Sequence, residues 1–179
     1  MVNAIARISV IALVVVAGVT ASSRSSGAPA RPETPAPRTG GPQEVEVIAV
    51  VMDQRTQTPT VILQGKRDKR TLGMAIGIAE ATGIALPLQG VTPPRPLTHD
   101  LFLTLFGRLK VGLTRVVITD LRDNVYYATV YLTAGATEMT LDSRPSDAIA
   151  LAIRSKVPVL VEDRVFDKSA EEAPARPRI

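Results

Sequence analysis

The sequence predicts an α+β fold: a single domain with a mixed, largely antiparallel sheet and about three helices. Two observations carry this. Candidate elements run as strands, helices, strands, helix, strand, not in strict strand–helix alternation. Two of the strands meet at Asp123-Asn124, a pair that tolerates positive φ and suits a tight hairpin. No internal repeat is evident.

The elements follow in order. EVEVIAVVM, residues 44–52, is β-branched and alternating at its start and reads as a strand; TPTVILQG, residues 58–65, reads as a second. KRDKR at 66–70 reads as a solvated turn, with a phosphate contact as the alternative. RTLGMAI is a third short strand. Over residues 77–88, Ile78, Ala81, Ile84 and Ala85 recur at helical spacing, and Pro87 should stop the helix. A proline-rich connector at 91–96 leads to a second helix. Thr98 offers its N-cap, and Leu101, Phe102, Leu105, Phe106 and Leu109 form its apolar stripe. Residues 114–132 are the hairpin strands, 136–143 another strand, 144–156 a helix opened by Pro145, and 157–161 a last strand.

Flanking segments differ in kind. Residues 1–21 hold one arginine and then an uncharged run from Ile8 to Ala21. As a helix that run rises about 21 Å, short of the roughly 30 Å hydrocarbon core. It reads as a secretory signal, hence an exported (periplasmic or secreted) protein; the alternative is an uncleaved N-terminal membrane anchor. Residues 22–42 are rich in Pro, Ser and Gly and read as a disordered linker, residues 43–168 as the domain, and 169–179 as a disordered tail.

Composition removes several chemistries. There is no cysteine, so disulfides, thiolate zinc sites and cysteine nucleophiles are absent. The single histidine, His99, excludes a mechanism needing two imidazoles on one chain. The net charge of +4 invites a polyanion, yet residues 43–168 hold fifteen Lys or Arg against fourteen Asp or Glu, a net of +1. Any polyanion site must therefore be a local patch.

Two polar clusters stand out. In DSRPSDAIALAIR, residues 142–154, helix initiation explains most of the polarity: Ser143 can cap, Pro145 fits the first turn, and Asp147 meets the positive end of the dipole. Arg144 opposes that dipole and Asp142 adds a second carboxylate, so the alternative is a phosphate site with a divalent metal. RPLTHD, residues 95–100, repeats the pattern of arginine, hydroxyl and acid, with His99 in the turn. Brought together, the two helix starts would form one anion-binding pocket containing acid–base groups.

These segments carry a resemblance. PPRPLTHDL at 93–101, VVITDL at 116–121, DSRPSDAIALAIR at 142–154 and GIAEATGIALPLQGVTPPRP at 77–96 resemble the bifunctional nuclease domain, in the same order and spacing, over roughly residues 44–165. LGMAIG at 72–77 departs from it: Gly73 and Ala75 stand where that family usually has proline and tryptophan. The resemblance implies a nuclease acting on DNA and RNA without marked sequence preference. The matched candidates are Glu80, His99, Asp100, Asp142, Arg144 and Asp147. Arg144 is expected on the phosphate, Asp142 and Asp147, with Glu80, on a magnesium-type ion, and His99 as acid or base oriented by Asp100. Two alternatives are a non-enzymatic binding or regulatory domain, and a structural ion-pair network at the interface of a homo-oligomer.

Overall fold

Alternation along the first strands decides which side of the sheet meets the helices. In the computed structural model, which describes residues 40–54 and 56–172, β1 (Gln43–Met52), β2 (Pro59–Gly65) and β3 (Thr71–Ala75) form an antiparallel meander. Val45, Val61, Leu63, Leu72 and Met74 are buried on one face, and their neighbours are more exposed. The expected leader at 1–21, nearly all of the linker and residues 173–179 lie outside the described residues. Among the described residues no helix is long and apolar enough to cross a membrane.

Two helices follow, α1 (Ile78–Leu88) and α2 (Thr98–Arg108). Then β4 (Val111–Arg122) and β5 (Val125–Ala134) pair antiparallel through a two-residue turn. Asp123 and Asn124 both take positive φ there, 51° and 60°, as the hairpin expectation required. The chain continues through β6 (Thr137–Ser143), α3 (Pro145–Ser155), β7 (Val159–Val161) and α4 (Asp163–Glu172). The seven strands lie in the order β3-β2-β1-β7-β4-β5-β6. Only the β4/β7 pair is parallel, so the sheet is mixed and largely antiparallel, as expected.

The helix α3 is the centre of the core. Ala148, Ile149, Ala150 and Ala152 have no exposure, and they meet Val116, Ile118, Ala128 and Val130 from the sheet together with Ile84 from α1. Small residues on α3 let α1 approach closely: a Cβ built on Gly83 would lie 4.0 Å from the Ala150 Cβ. The Ala150 distance is an ordinary contact; the neighbour that requires a glycine here is His99 of α2, whose Cε1 would lie 2.9 Å from that Cβ.

Local expectations fail in four places. Thr98 does not cap α2; Leu97 is the N-cap residue, and its N–H is accepted by Asp100 Oδ2 at 2.8 Å. Ser143 does not cap α3; Arg144 is the N-cap residue, and the Ser143 hydroxyl donates to the Arg144 carbonyl at 3.0 Å. Pro87 sits inside the last turn of α1, which runs one residue further. Finally α4, a fourth helix, extends to Glu172, past the expected domain end at 168. Few apolar side chains mark it, Val165 and Phe166 being buried. The 66–70 charge run anchors it instead. Arg67 bonds Asp163 at 2.9 Å, Arg70 pairs with Asp163 and bonds Asp167 at 3.2 Å, and the Arg70 guanidinium lies 4.5 Å from the Phe166 ring centre. The run is the exposed turn expected, with Arg67 and Arg70 paired to α4.

Ile149→Ala should destabilise the domain by about 2–5 kcal/mol, the cost of deleting a core side chain. Ile78→Ala, at a side chain 72% exposed, should change stability by no more than about 0.5 kcal/mol. Urea unfolding midpoints of the two variants provide the comparison.

Candidate active site

Three helices begin at one place. Glu80 lies in the first turn of α1, His99 and Asp100 in that of α2, and Asp147 in that of α3, with Arg144 at the α3 N-cap. Carboxylates suit these positions because each helix presents unpaired N–H groups and a positive dipole end. Arg144 is tolerated against the dipole because acids surround it. Its Nε and Nη2 donate to Asp147 Oδ2 and Oδ1 at 2.7 and 3.1 Å, and its Nη1 donates to Glu80 Oε1 at 2.7 Å. His99 Nε2 lies 3.3 Å from Asp147 Oδ1. Glu80, Arg144, Asp147 and His99 thus form one connected chain across the three helix starts.

The chain stands in a wall between open spaces. A cavity of about 480 Å³ is lined by His99, Asp142, Arg144 and Asp147 on its polar side and by Phe102, Phe106 and Leu141 on its apolar side. Another of about 420 Å³, lined by the first turns of α1 and α2, also reaches Glu80, His99, Arg144 and Asp147. The Arg144 side chain is 64% exposed. Three of its five N–H donors are spent on carboxylates, which leaves two for a ligand.

Electrostatics hold the chain ionised. Burial pushes the Asp147 carboxyl up, but hydrogen bonds from Arg144 and His99 outweigh it and hold the group below the usual range. Glu80 is held low by its own backbone N–H and then by Arg144. Arg144 is raised by hydrogen bonding to Asp147 and to Glu80.

Asp100 is placed elsewhere. It does not orient His99; Asp147 does. Asp100 Oδ1 accepts from Arg154 Nε at 2.8 Å, and the pair borders a separate cavity against Pro87, Pro93 and Pro96. Burial pushes the Asp100 carboxyl up, and the Leu97 N–H and Arg154 more than reverse that. Asp142 lines the 480 Å³ cavity and has no side-chain partner among the described residues.

The donor set does not fit a resident divalent ion as arranged. Glu80 and Asp147 both spend oxygens on Arg144, and Asp147 meets His99 as well. Among the described residues no group of three or more potential ligands converges on a metal position.

Two positioning residues escape a reading by motif. Arg154, only 9% exposed, donates from Nη1 to the carbonyls of Gly83 at 2.6 Å and Ala150 at 2.9 Å, besides its bond to Asp100. The Gly83 carbonyl is open because its helical partner would be the N–H of residue 87, which is proline. The signal in the sequence is the seven-residue step from Asp147 to Arg154, which puts both on one helix face. Gly83 is the second: a Cβ there would sit 2.9 Å from His99 Cε1 and 3.3 Å from Nδ1.

Arg154→Met should cost about 3–5 kcal/mol, because it leaves the Asp100 carboxylate and a backbone carbonyl without their buried partner. It should also shift the ring resonances of the only histidine. Urea unfolding and imidazole NMR measure the two effects. For pH, carboxyls held low in the folded state contribute stability that is present above their ordinary range and lost as pH falls through the depressed values. Acid unfolding should therefore remove the contribution of Glu80, Asp100 and Asp147. Asp100→Asn should flatten the acid limb of a plot of urea midpoint against pH.

Comparison with known proteins bears on what this wall is for. A family model described as the bifunctional nuclease domain matches residues 61–174. A Mycobacterium tuberculosis (strain CDC 1551) protein of uncharacterized function is 38% identical over 138 residues, covering 73% of this chain and 82% of that one. Bifunctional nuclease 1 of Oryza sativa subsp. indica and the bifunctional nuclease of Oryza minuta are each 32% identical over 103 residues, covering 55% of this chain and 31% of theirs. The matched span contains α1, α2 and α3 whole, with every residue of the connected chain, and on this ground the protein belongs to the bifunctional nuclease domain family.

Proposed function

We propose that the protein hydrolyses phosphodiester bonds of DNA and RNA with little sequence preference, at the wall formed by Glu80, His99, Arg144 and Asp147. The observation that carries the reading is the exposed Arg144 guanidinium, fixed by two carboxylates and still holding two unused donors beside the imidazole. A planar fork of this kind suits the oxygens of a phosphate. It stabilises charge that grows on the phosphate as water attacks. His99 is the group to move the proton. Its Nδ1 edge lies against Gly83, so exchange runs at the Nε2 edge it shares with Asp147. The names of the Oryza relatives point the same way.

Charge sets a condition on this chemistry. Glu80, Asp100, Asp142 and Asp147 give four negative charges, against two from Arg144 and Arg154, an excess of two. A phosphate approaching that excess is repelled unless cations come with it. Magnesium in the buffer is expected to support cutting, and a chelator to suppress it, with the ion entering alongside the substrate. The same excess favours a second reading, a binding or regulatory domain that does not cut. A leader at 1–21 that exports or anchors the chain would put either role beyond the cytoplasm. The mass of the mature protein tests its cleavage.

Arg144→Ala should lower cleavage of both plasmid DNA and RNA by about 10²–10³-fold, the scale of removing one transition-state donor. Arg115→Ala should leave the rate unchanged, since that guanidinium stacks on Tyr131 and bonds Glu138 away from the cluster. Parental activity in Arg144→Ala would overturn the assignment. Absence of cutting by the parent, with binding that ignores salt, would remove nucleic acid as the ligand altogether.

A further inference from the structure

Arg144 borders a third space. A cavity of about 290 Å³ opens where the end of β3, the β4–β5 turn and the first turns of α1 and α3 meet. Its walls are apolar at Ala75, Ile76, Val125 and Pro145, and Glu80 and Arg144 also line it. Two neutral polar groups join them. Ser146 lines the cavity although it is only 7% exposed, and its hydroxyl has no hydrogen-bond partner among the described residues. That oxygen is not sealed in: among the described residues only Gln43 Oε1 is both enclosed and unpaired. Asn124 reaches the cavity from the turn, where its backbone is fixed at a φ of 60°. Small residues keep the space open. Ala75 stands where the family usually carries tryptophan, and a Cβ on Gly77 would strike the Glu80 carboxylate.

We propose that this cavity receives one unstacked nucleobase, belonging to the nucleotide whose phosphate Arg144 holds. The proposal rests on the reading of the wall as a site of phosphodiester hydrolysis and adds where the base of the substrate goes. Arg144 lines both this cavity and the 480 Å³ one, so a phosphate on its two unused donors has the smaller cavity beside it. The volume is at the low end of small-molecule sites, roughly 300–1,000 Å³, which suits one base and not a base pair. A strand must therefore present the base out of its stack, as single strands and loops do and a duplex does only at a cost. Recognition here is neutral and permissive. Apolar walls pack against the ring whatever the base, and Tyr126 adds an aromatic side. A hydroxyl and a primary amide each donate and accept, so Ser146 and Asn124 can pair with the edge of any base. The cavity thereby gives affinity for a base without choosing a sequence.

Binding separates this claim from cleavage. With magnesium present, adenosine 3′- and 5′-monophosphate are titrated calorimetrically into the full-length protein, with ribose 5-phosphate as the base-free control. At least one nucleotide should bind about tenfold or more tightly than the sugar phosphate. Ala75→Trp, which fills the cavity, should bring that nucleotide down to the level of ribose 5-phosphate and leave ribose 5-phosphate binding unchanged. The chain has no other tryptophan, so a blue-shifted emission shows the indole seated in the cavity. Ser146→Ala should weaken the nucleotide by about three- to tenfold and again spare the sugar phosphate. A parent that binds nucleotides no better than ribose 5-phosphate overturns the base pocket, while Arg144-dependent cutting would still stand. Undiminished nucleotide affinity in a chain with the indole seated overturns it as well. If Ala75→Trp does not fold or its indole stays in water, Ser146→Ala decides, and undiminished affinity there overturns the proposal. Base-dependent binding by a parent that cuts nothing keeps the pocket and removes the hydrolysis.

Discussion

The arrangement of the cleft depends on one buried cation. Arg154 lies at the far end of α3 from the wall, yet it binds the two other helices that build it. Its Nη1 takes the Gly83 carbonyl of α1, and its Nε takes the Asp100 carboxylate of α2. Each partner is available for a reason. Pro87 cannot donate to Gly83, and Asp100 is already aimed by the N–H of Leu97. A guanidinium 9% exposed must be paired to be tolerated, and here its pairing sets the positions of α1 and α2 against α3. A residue that meets no substrate thereby decides where Glu80 and His99 stand relative to Arg144 and Asp147.

Small side chains make that bonding reachable. Gly83 faces Ala150 on one side and the His99 ring on the other, so α1 closes on both α3 and α2. Close approach brings three positive helix ends towards one region, and each carries its acid in the first turn. The excess of negative charge is partly answered by those dipoles and partly by Arg144. Helix initiation and a reactive cluster are therefore one arrangement at residues 142–147. Pro145 starts the helix, Asp147 meets its dipole, and the same Asp147 holds both Arg144 and His99.

Most of the sheet was legible from the sequence, because burial on one face writes an alternation into β1, β2 and β5, and because Asp123-Asn124 supports the only tight turn that the register of β4 and β5 allows. The convergence of residues 80, 99, 144 and 147 was legible only as a possibility, since it rests on contacts up to 64 positions apart. The Arg154 clamp was hidden because one of its partners is a backbone carbonyl, which has no letter in the sequence, and the other, Asp100, lies 54 positions away. α4 was hidden because ion pairs to the 66–70 turn replace much of the apolar face that periodicity detects. The stripe on α2 was read correctly as a stripe, but periodicity does not say what covers it.

That last distinction connects the surface to the cleft. Phe102, Phe106 and Leu141 form the apolar side of the cavity whose polar side is His99, Asp142, Arg144 and Asp147. A substrate seated in the cavity would exclude water from the apolar side and lower the local dielectric around the ion pairs. Arg144 would then act on a phosphate more strongly than an exposed guanidinium does, and the carboxylate excess would also be felt more strongly. Both effects grow together, so a closed cavity sharpens the requirement for accompanying cations as it strengthens the arginine. The exposed face of α2 is in this sense part of the electrostatics of the site, although none of its apolar side chains carries charge.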